Sequence, residues 1–224
     1  MKIKEMEDEK RPREKALRFG LEALTDLELV ALLLQSGNQK KSVFDLAQEV
    51  LVLSRDLARL FDIHVSELME ISGIKEVKAL QVLAGVELSK RALKARSYQT
   101  VIRKPEDVVR WFQMEFGYLK QEHFIVVYLD TKSKILSHRV LFVGTLNESC
   151  VHPRDIFREA YLENASSLLL VHNHPSGIPQ PSRADIECTR QIRDVAQTMG
   201  VGLMDHIIVG RNRWFSFRQS QSLD

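Results

Sequence analysis

Ser167-Leu168-Leu169-Leu170-Val171-His172-Asn173-His174-Pro175-Ser176-Gly177 sets the architecture of the chain. Its first five residues are short and largely apolar, the pattern of a strand buried on both faces. Side chains of a strand alternate with period two, so His172 and His174 project to the same side if they continue it. They then leave the end of a buried strand together, into a cleft. Pro175, Gly177, Pro179 and Pro181 exclude regular structure after them, and the chain turns. Ser182 restarts it as a helix whose first turn holds Asp185, placed to face back toward the strand end.

Two imidazoles and a carboxylate are a donor set that zinc accepts. Three protein ligands with a fourth position left open is its catalytic arrangement, whereas structural sites are closed by four. The expectation is one Zn2+ per chain on His172, His174 and Asp185. Two cysteines are too few for a cysteine-rich structural site. A plainer reading exists for each residue. Ser182-Arg183-Ala184-Asp185 fits the serine-x-x-acid signature of a helix N-terminus, which explains Ser182 and Asp185 without a metal. A single histidine is more often a hydrogen-bonded core or surface residue than a ligand. What the plainer reading leaves over is the pair of histidines ending an apolar strand, with a rigid turn and an acid behind them.

A hydrolase also needs a group to take the proton of the attacking water and pass it to the leaving group, and a carboxylate is the usual candidate. Glu122, Glu148, Glu159 and Glu163 all precede the histidines, and spacing does not choose among them. Glu122 stands just before the apolar run Phe124 to Leu129, at a strand entrance. Glu148 falls in a loop. Glu159 and Glu163 lie four apart on an expected helix from Pro153, where a solvated face is the simpler reading.

The His-x-His, seven residues, Ser, two residues, Asp pattern resembles the JAMM metalloprotease motif of MPN (JAB) domains. With Gly144-Thr145-Leu146-Asn147 and Pro153-Arg154-Asp155-Ile156 it is similar to the RadC family of bacterial JAB-domain proteins. Arg11-Pro12-Arg13-Glu14-Lys15, Leu24-Thr25-Asp26-Leu27-Glu28-Leu29 and Ser72-Gly73-Ile74 extend the resemblance over nearly the whole chain. It implies a zinc metalloprotease-like hydrolase, with a family link to DNA repair, whose metal is held by His172, His174 and Asp185. It also implies that Ser182 helps stabilise the tetrahedral intermediate and that a glutamate entering the first strand, here Glu122 by position, is the general base.

Composition bounds these readings. The 224 residues are 44% hydrophobic and 28% charged with a net charge of +2, as in an ordinary soluble globular protein of one large or two small domains. Nothing approaches a membrane-spanning apolar run, and Met1 to Glu7 is too charged for a signal peptide, so a cytoplasmic protein is expected. Cys150 and Cys188 fit a reducing compartment as small packed residues.

The pattern changes near residue 100. From Pro12 to Arg96 apolar residues recur at helical spacing, as in Leu24, Leu27, Val30, Ala31 and Leu34, with Gly20, Ser36-Gly37-Asn38 and Ser72-Gly73 as punctuation. Beyond Val101, Pro105 to Phe116 reads as a helix, Phe124 to Leu129 and Ile135 to Val143 as strands, and Pro153 toward Asn164 as a helix. Ser182 to Met199 is a long helix, and Gly202 to Val209 and Trp214 to Phe217 close the domain as strands. The fold class is α+β: an all-α module over residues 1–98, then a mixed-sheet α/β domain of MPN/JAB type over 101–224, joined at Ala95 to Val101.

Leu68-x-x-Ile71-Ser72-Gly73-Ile74-Lys75-x-x-Lys78-Ala79 resembles a helix-hairpin-helix. In that motif a glycine turn offers backbone amides at a helix N-terminus to a DNA phosphate, independent of sequence. Gly73, Lys75 and Lys78 are the candidate DNA contacts. Lys75 stands where a second glycine is expected, which is unfavourable if the position needs positive φ. Six lysines and arginines between Lys75 and Arg96 face two acids, although the whole chain carries only +2. A hairpin with a solvated charged face explains the segment equally.

Three functions follow: a JAMM-type hydrolase of a peptide or protein substrate, a metal-dependent enzyme processing nucleic acid, and a DNA- or protein-binding module whose metal is structural. One metal cluster favours the first over a nuclease, since many phosphodiester hydrolases use two metals. No glycine-rich phosphate loop or paired-cysteine deaminase motif is present. His206, next to Asp205, reads as a packed, hydrogen-bonded residue, with orientation of a ligand histidine as the alternative. His152 and Asn173 flank the site without a role. His64, His123 and His138 read as structural or surface residues, and Trp111 and Trp214 as core.

Overall fold

The computed structural model describes residues 6–57, 59–144 and 151–221. Glu148, Cys150 and the Thr145-Leu146-Asn147 segment lie outside them. The chain divides into two compact units, Met1–Ser89 and Lys90–Asp224.

The first unit is helical: α1 (Pro12–Phe19), α2 (Asp26–Leu34), α3 (Val43–Leu53), α4 (Val65–Met69) and the start of α5 (Glu76–Gln99). Its core is built from Val30, Ala31 and Leu34 of α2, Leu46, Ala47 and Val50 of α3, Leu68 of α4, Ile74 of the following turn, and Ala79 and Val82 of α5. Thr25 with Glu28 and Ser42 with Asp45 form capping boxes at the starts of α2 and α3, each satisfying two backbone amides that the helix leaves open. Between α4 and α5, Gly73 has φ +109, and a Cβ there would run into the Asn38 side chain. Only glycine fits that turn. Lys75 is not among the residues of positive φ, so a lysine is accommodated where a second glycine was expected.

The residues of α5 beyond Ser89 fold with the second unit, where Leu93 and Tyr98 pack on its core. That unit continues with α6 (Glu106–Phe116), β1 (His123–Leu129), β2 (Ile135–Val143), α7 (Pro153–Leu162), β3 (Ser167–Asn173), α8 (Arg183–Met199), β4 (Gly202–Val209) and β5 (Trp214–Ser216). The sheet runs in the order β2-β1-β3-β4-β5 and is mixed: β3 and β4 are parallel and every other pair is antiparallel. A parallel pair needs a crossover, and α8 supplies it.

Alternation along the strands feeds two cores. Ile125, Val127, Leu129, Leu169, Val171, Ile207 and Val209 pack with Trp111, Phe112 and Phe116 of α6. Phe124, Val126, Tyr128, Leu168 and Leu170 pack with Ile156, Phe157 and Ala160 of α7 and Ile192 and Ala196 of α8. Burial on both faces explains why β1 and β3 read as continuous apolar runs in the sequence. Trp111 is core, whereas Trp214 is only partly buried against it.

Candidate metal centre

The central strands carry the site. Phe124 pairs with His172 across the antiparallel β1–β3 ladder, and the same register extended two residues sets Glu122 opposite His174. His172 is the next-to-last residue of β3, and His174 follows its end, where its backbone N–H donates to the Val209 carbonyl at 3.0 Å. The turn through Pro175 and Gly177 returns the chain to Ser182, the N-cap of α8. Asp185 and both histidines therefore meet at one end of the sheet.

The donor atoms converge. His172 Nε2 lies 3.0 Å from His174 Nε2. Asp185 Oδ1 is 3.1 Å from His172 Nε2, and Oδ2 is 3.4 Å from His174 Nε2. Glu122 Oε1 is further out, 3.8 Å from His172 Nε2. Among the described residues these four form the group able to hold a metal ion. Atoms about 2.0–2.1 Å from one tetrahedral ion stand about 3.3–3.4 Å apart, close to the spacing of the two imidazoles and Asp185. His172 and Asp185 are 0% and 1% exposed; Glu122 and His174, at 13% and 16%, form the side open to solvent.

Hydrogen-bond polarity tests whether this set suits a cation. His174 Nδ1 is 2.8 Å from the Ile178 carbonyl oxygen, which can only accept, so the ring proton is on Nδ1 and Nε2 presents a lone pair. Two ring nitrogens facing each other at 3.0 Å beside a buried carboxylate are a donor set that suits a cation. The side-chain shifts agree. Burial works against the Asp185 carboxylate, yet the adjacent His172 and His174 imidazoles, together with the Ser182 backbone N–H, outweigh it and hold the group well below the usual carboxylate range. Burial likewise lowers His174, but Asp185 and the Ile178 carbonyl raise it above an ordinary histidine.

Ser182 and Asp185 form the helix cap that their spacing predicts. The Ser182 backbone N–H and hydroxyl each donate to Asp185 Oδ2 at 2.7 Å, and Asp185 N–H donates to Ser182 Oγ at 3.2 Å, a capping box like that of Ser42 and Asp45. The difference is the surroundings. Asp45 is exposed, while Asp185 is buried with its other oxygen facing His172.

Asn173, given no role from the sequence, holds the strand entrance. Its Oδ1 accepts the His123 N–H at 2.7 Å and its Nδ2 donates to the Gln121 carbonyl at 3.1 Å, so the backbone is clamped on both sides of Glu122. Asn173→Ala removes the acceptor of the His123 N–H, while the Gln121 carbonyl keeps its contact with His123 Nδ1 at 3.0 Å, and the expected loss is about 1–3 kcal/mol in denaturant unfolding with no loss of metal affinity. His206 is fully buried with its Nε2 2.8 Å from His172 Nδ1, so the packed histidine also touches a site residue. The other acids lie elsewhere: Glu159 and Glu163 pair with Arg139 at 3.7 and 3.5 Å. His138 is bonded to the Tyr98 hydroxyl. Cys188 is half-buried, its thiol pushed up to about 12 by burial, which does not suit a thiolate ligand.

Gly73, Lys75 and Lys78 belong to the first unit and are not part of this group. Lys78 Nζ donates to the Ser36 carbonyl. The first unit carries 13 lysines and arginines against 16 acids, a net −3, and the second 19 against 14, a net +5.

A mixed sheet with two histidines leaving its central strand and an aspartate at the start of the crossover helix defines a JAB-type domain with a candidate metal centre. The chain belongs to the RadC-like JAB domain family, whose model matches residues 102–222, more than half of its length. Residues 3–80 match the UPF0758 N-terminal family. Among curated relatives, a UPF0758 protein of Bacillus licheniformis is 44% identical over 220 residues, covering 98% of each chain. A UPF0758 protein of Clostridium perfringens is 42% identical over 223 residues, covering all of this chain and 98% of its own. UPF0758 protein YsxA of Bacillus subtilis is 42% identical over 220 residues, covering 98% of this chain and 95% of its own.

Proposed function

We propose that the chain is a zinc-dependent hydrolase that cleaves a peptide or isopeptide bond in a protein substrate. The observation that carries this reading is the convergence of His172, His174 and Asp185 on one point, with the Glu122 carboxylate 3.8 Å from His172 on the open side. Zinc held by the three residues would polarise a substrate carbonyl and acidify the attacking water. The chain's own groups do the rest. Glu122 takes the proton of that water and returns it to the leaving amine. Asn173 holds the backbone on both sides of Glu122, which keeps the residue at the mouth of the site. Asp185 supplies the negative charge of the site, and its cap keeps the carboxylate in one rotamer. The Ser182 hydroxyl donates to Asp185, and turning away from it toward substrate oxygen is what stabilising an oxyanion demands.

A single metal group among the described residues supports an amide over a phosphodiester substrate, because the in-line displacement of many nucleases is held between two ions. A DNA contact at Gly73, Lys75 and Lys78 is a separate proposal, supported by the tight turn at Gly73 rather than by charge, since that unit is net negative. The test is to offer the zinc-loaded chain a library of peptides with α- and ε-lysyl linkages beside single- and double-stranded DNA, with and without chelator. The expected result is chelator-sensitive cleavage of amide links only. Phosphodiester cleavage would overturn the assignment, and DNA retention at low salt that Lys75→Glu reduces would support the contact.

A further inference from the structure

We infer that Thr189 and His206 are positioning residues of the metal centre, which dictate through hydrogen-bond polarity that His172 turns a bare Nε2 toward the ion. The inference rests on the reading of His172 as a metal ligand. It starts from a fixed acceptor. Thr189 Oγ1 lies 2.5 Å from the Asp185 carbonyl oxygen, one helical turn earlier on α8, and a carbonyl can only accept. The hydroxyl proton is therefore committed to Asp185. The same Oγ1 is 2.6 Å from His206 Nδ1, so it must accept there, and His206 carries its proton on Nδ1.

His206 holds one proton, not two. Its ring is fully buried, stacked on Phe217 at 5.0 Å between centroids and 8° between planes, with the Phe124 ring 5.7 Å away edge-on. Its side-chain hydrogen bonds are those to Thr189 and His172, and neither is a carboxylate. A second proton would leave an unpaired charge in an aromatic core. His206 Nε2 is thus an acceptor, and at 2.8 Å it takes the Nδ1 proton of His172. His172 Nε2 is left bare, facing Asp185 Oδ1 and His174 Nε2.

Reversing the chain would have Thr189 donate to His206, His206 donate to His172, and His172 present an N–H to the site. The Asp185 carbonyl is what selects against it. His174 reaches the same tautomer directly, through the Ile178 carbonyl. His172 needs a relay because its Nδ1 points into the core between β4 and α8, where the nearest partner is another imidazole. Asp205 anchors the relay's far side: its Oδ1 accepts the His206 and Arg218 backbone N–H groups and its Oδ2 accepts the Ser216 hydroxyl, which seats Phe217 against the His206 ring. One helix brings both the ligand carboxylate and, four residues on, the hydroxyl that sets its neighbour's tautomer.

Thr189→Val keeps the shape and removes the hydroxyl; Thr189→Ser restores it. Nitrogen-15 spectra of the imidazoles in metal-free protein are expected to show Nδ1–H for His172, His174 and His206 in the wild type and the serine variant. In the valine variant His172 and His206 are expected to become tautomer mixtures while His174 stays as it was. Zinc affinity, measured by competition with a chelator, should fall about 10–100-fold in Thr189→Val and recover in Thr189→Ser, the range typical of losing an outer partner of a metal-bound histidine. A folded valine variant with unchanged tautomers and wild-type affinity would overturn the inference. If the wild type binds no zinc, the metal reading fails, and the tautomers of the metal-free protein still decide whether the relay exists.

Discussion

Asp185→Asn is expected to strip the protein of its metal while leaving the fold intact. The amide matches the carboxylate in volume and keeps an oxygen for the Ser182 backbone N–H, so the cap of α8 survives in part. What disappears is the anion that faces both imidazoles. Without metal that anion is a liability, since a carboxylate 1% exposed is expensive to desolvate. The metal-free variant should therefore unfold within about 1 kcal/mol of the wild type. Its zinc affinity should drop by more than the roughly 10–100-fold that losing an outer partner costs. His174→Ala, at a partly exposed position, should behave alike. Wild-type protein with zinc at a hundred times its dissociation constant gains about 2.7 kcal/mol, and neither variant should gain any. One equivalent of zinc surviving dialysis in both variants would dismiss the site.

The same geometry fixes the sign of a pH effect. Without metal, the raised His174 contributes stability that is full below the ordinary histidine value and is lost as pH rises through the raised one. Zinc displaces that proton, so its binding strengthens over the same window. The rise in melting temperature that zinc produces is expected to grow with pH across the histidine range. A rise that shrinks instead would mean that His174 is not a ligand.

Local features of this site were legible in the sequence and distant ones were not. His172, His174, Ser182 and Asp185 fall within 14 consecutive residues, and their placement follows from strand alternation, a proline-rich turn and a helix cap. Ser182 and Asp185 had two readings that spacing could not separate. The cap is present, and it is compatible with a ligand role for Asp185, because the cap engages Oδ2 while Oδ1 faces His172. Glu122 was one of four acids by spacing, and the fold brings its carboxylate to 3.8 Å from His172 Nε2. The partners of Asn173 and His206 stayed opaque because they are fixed by pairing between segments far apart in the chain, although the sequence makes His206 itself a candidate for orienting a ligand histidine. Asn173 bonds a backbone 50 residues upstream and His172 a ring 34 residues downstream. The helical unit was readable from its 3.6-residue period, and Gly73 from its place between two helices, but the charge of that unit emerged only once its extent was known.

Glu122→Gln separates a catalytic site from a closed structural one, and its effect on turnover should be the largest of any single substitution outside the three ligands. Glu122 has two readings in this geometry. As a fourth ligand it would complete a tetrahedral set, and such sites hold metal without chemistry. As a base it would stand one water away from the ion. The distances favour the second. Its Oε1 is 3.8 Å from His172 Nε2, beyond the 3.0–3.4 Å separations among the atoms of His172, His174 and Asp185. Its backbone is held by Asn173 from β3 and by the Gly144 N–H, which donates to the Glu122 carbonyl at 2.9 Å. Glutamine occupies the same space and cannot take a proton. The variant should keep one zinc with wild-type affinity and lose about 10²–10⁴ in turnover on any amide the wild type cleaves. Loss of metal together with activity would instead make Glu122 a ligand and the centre a structural one.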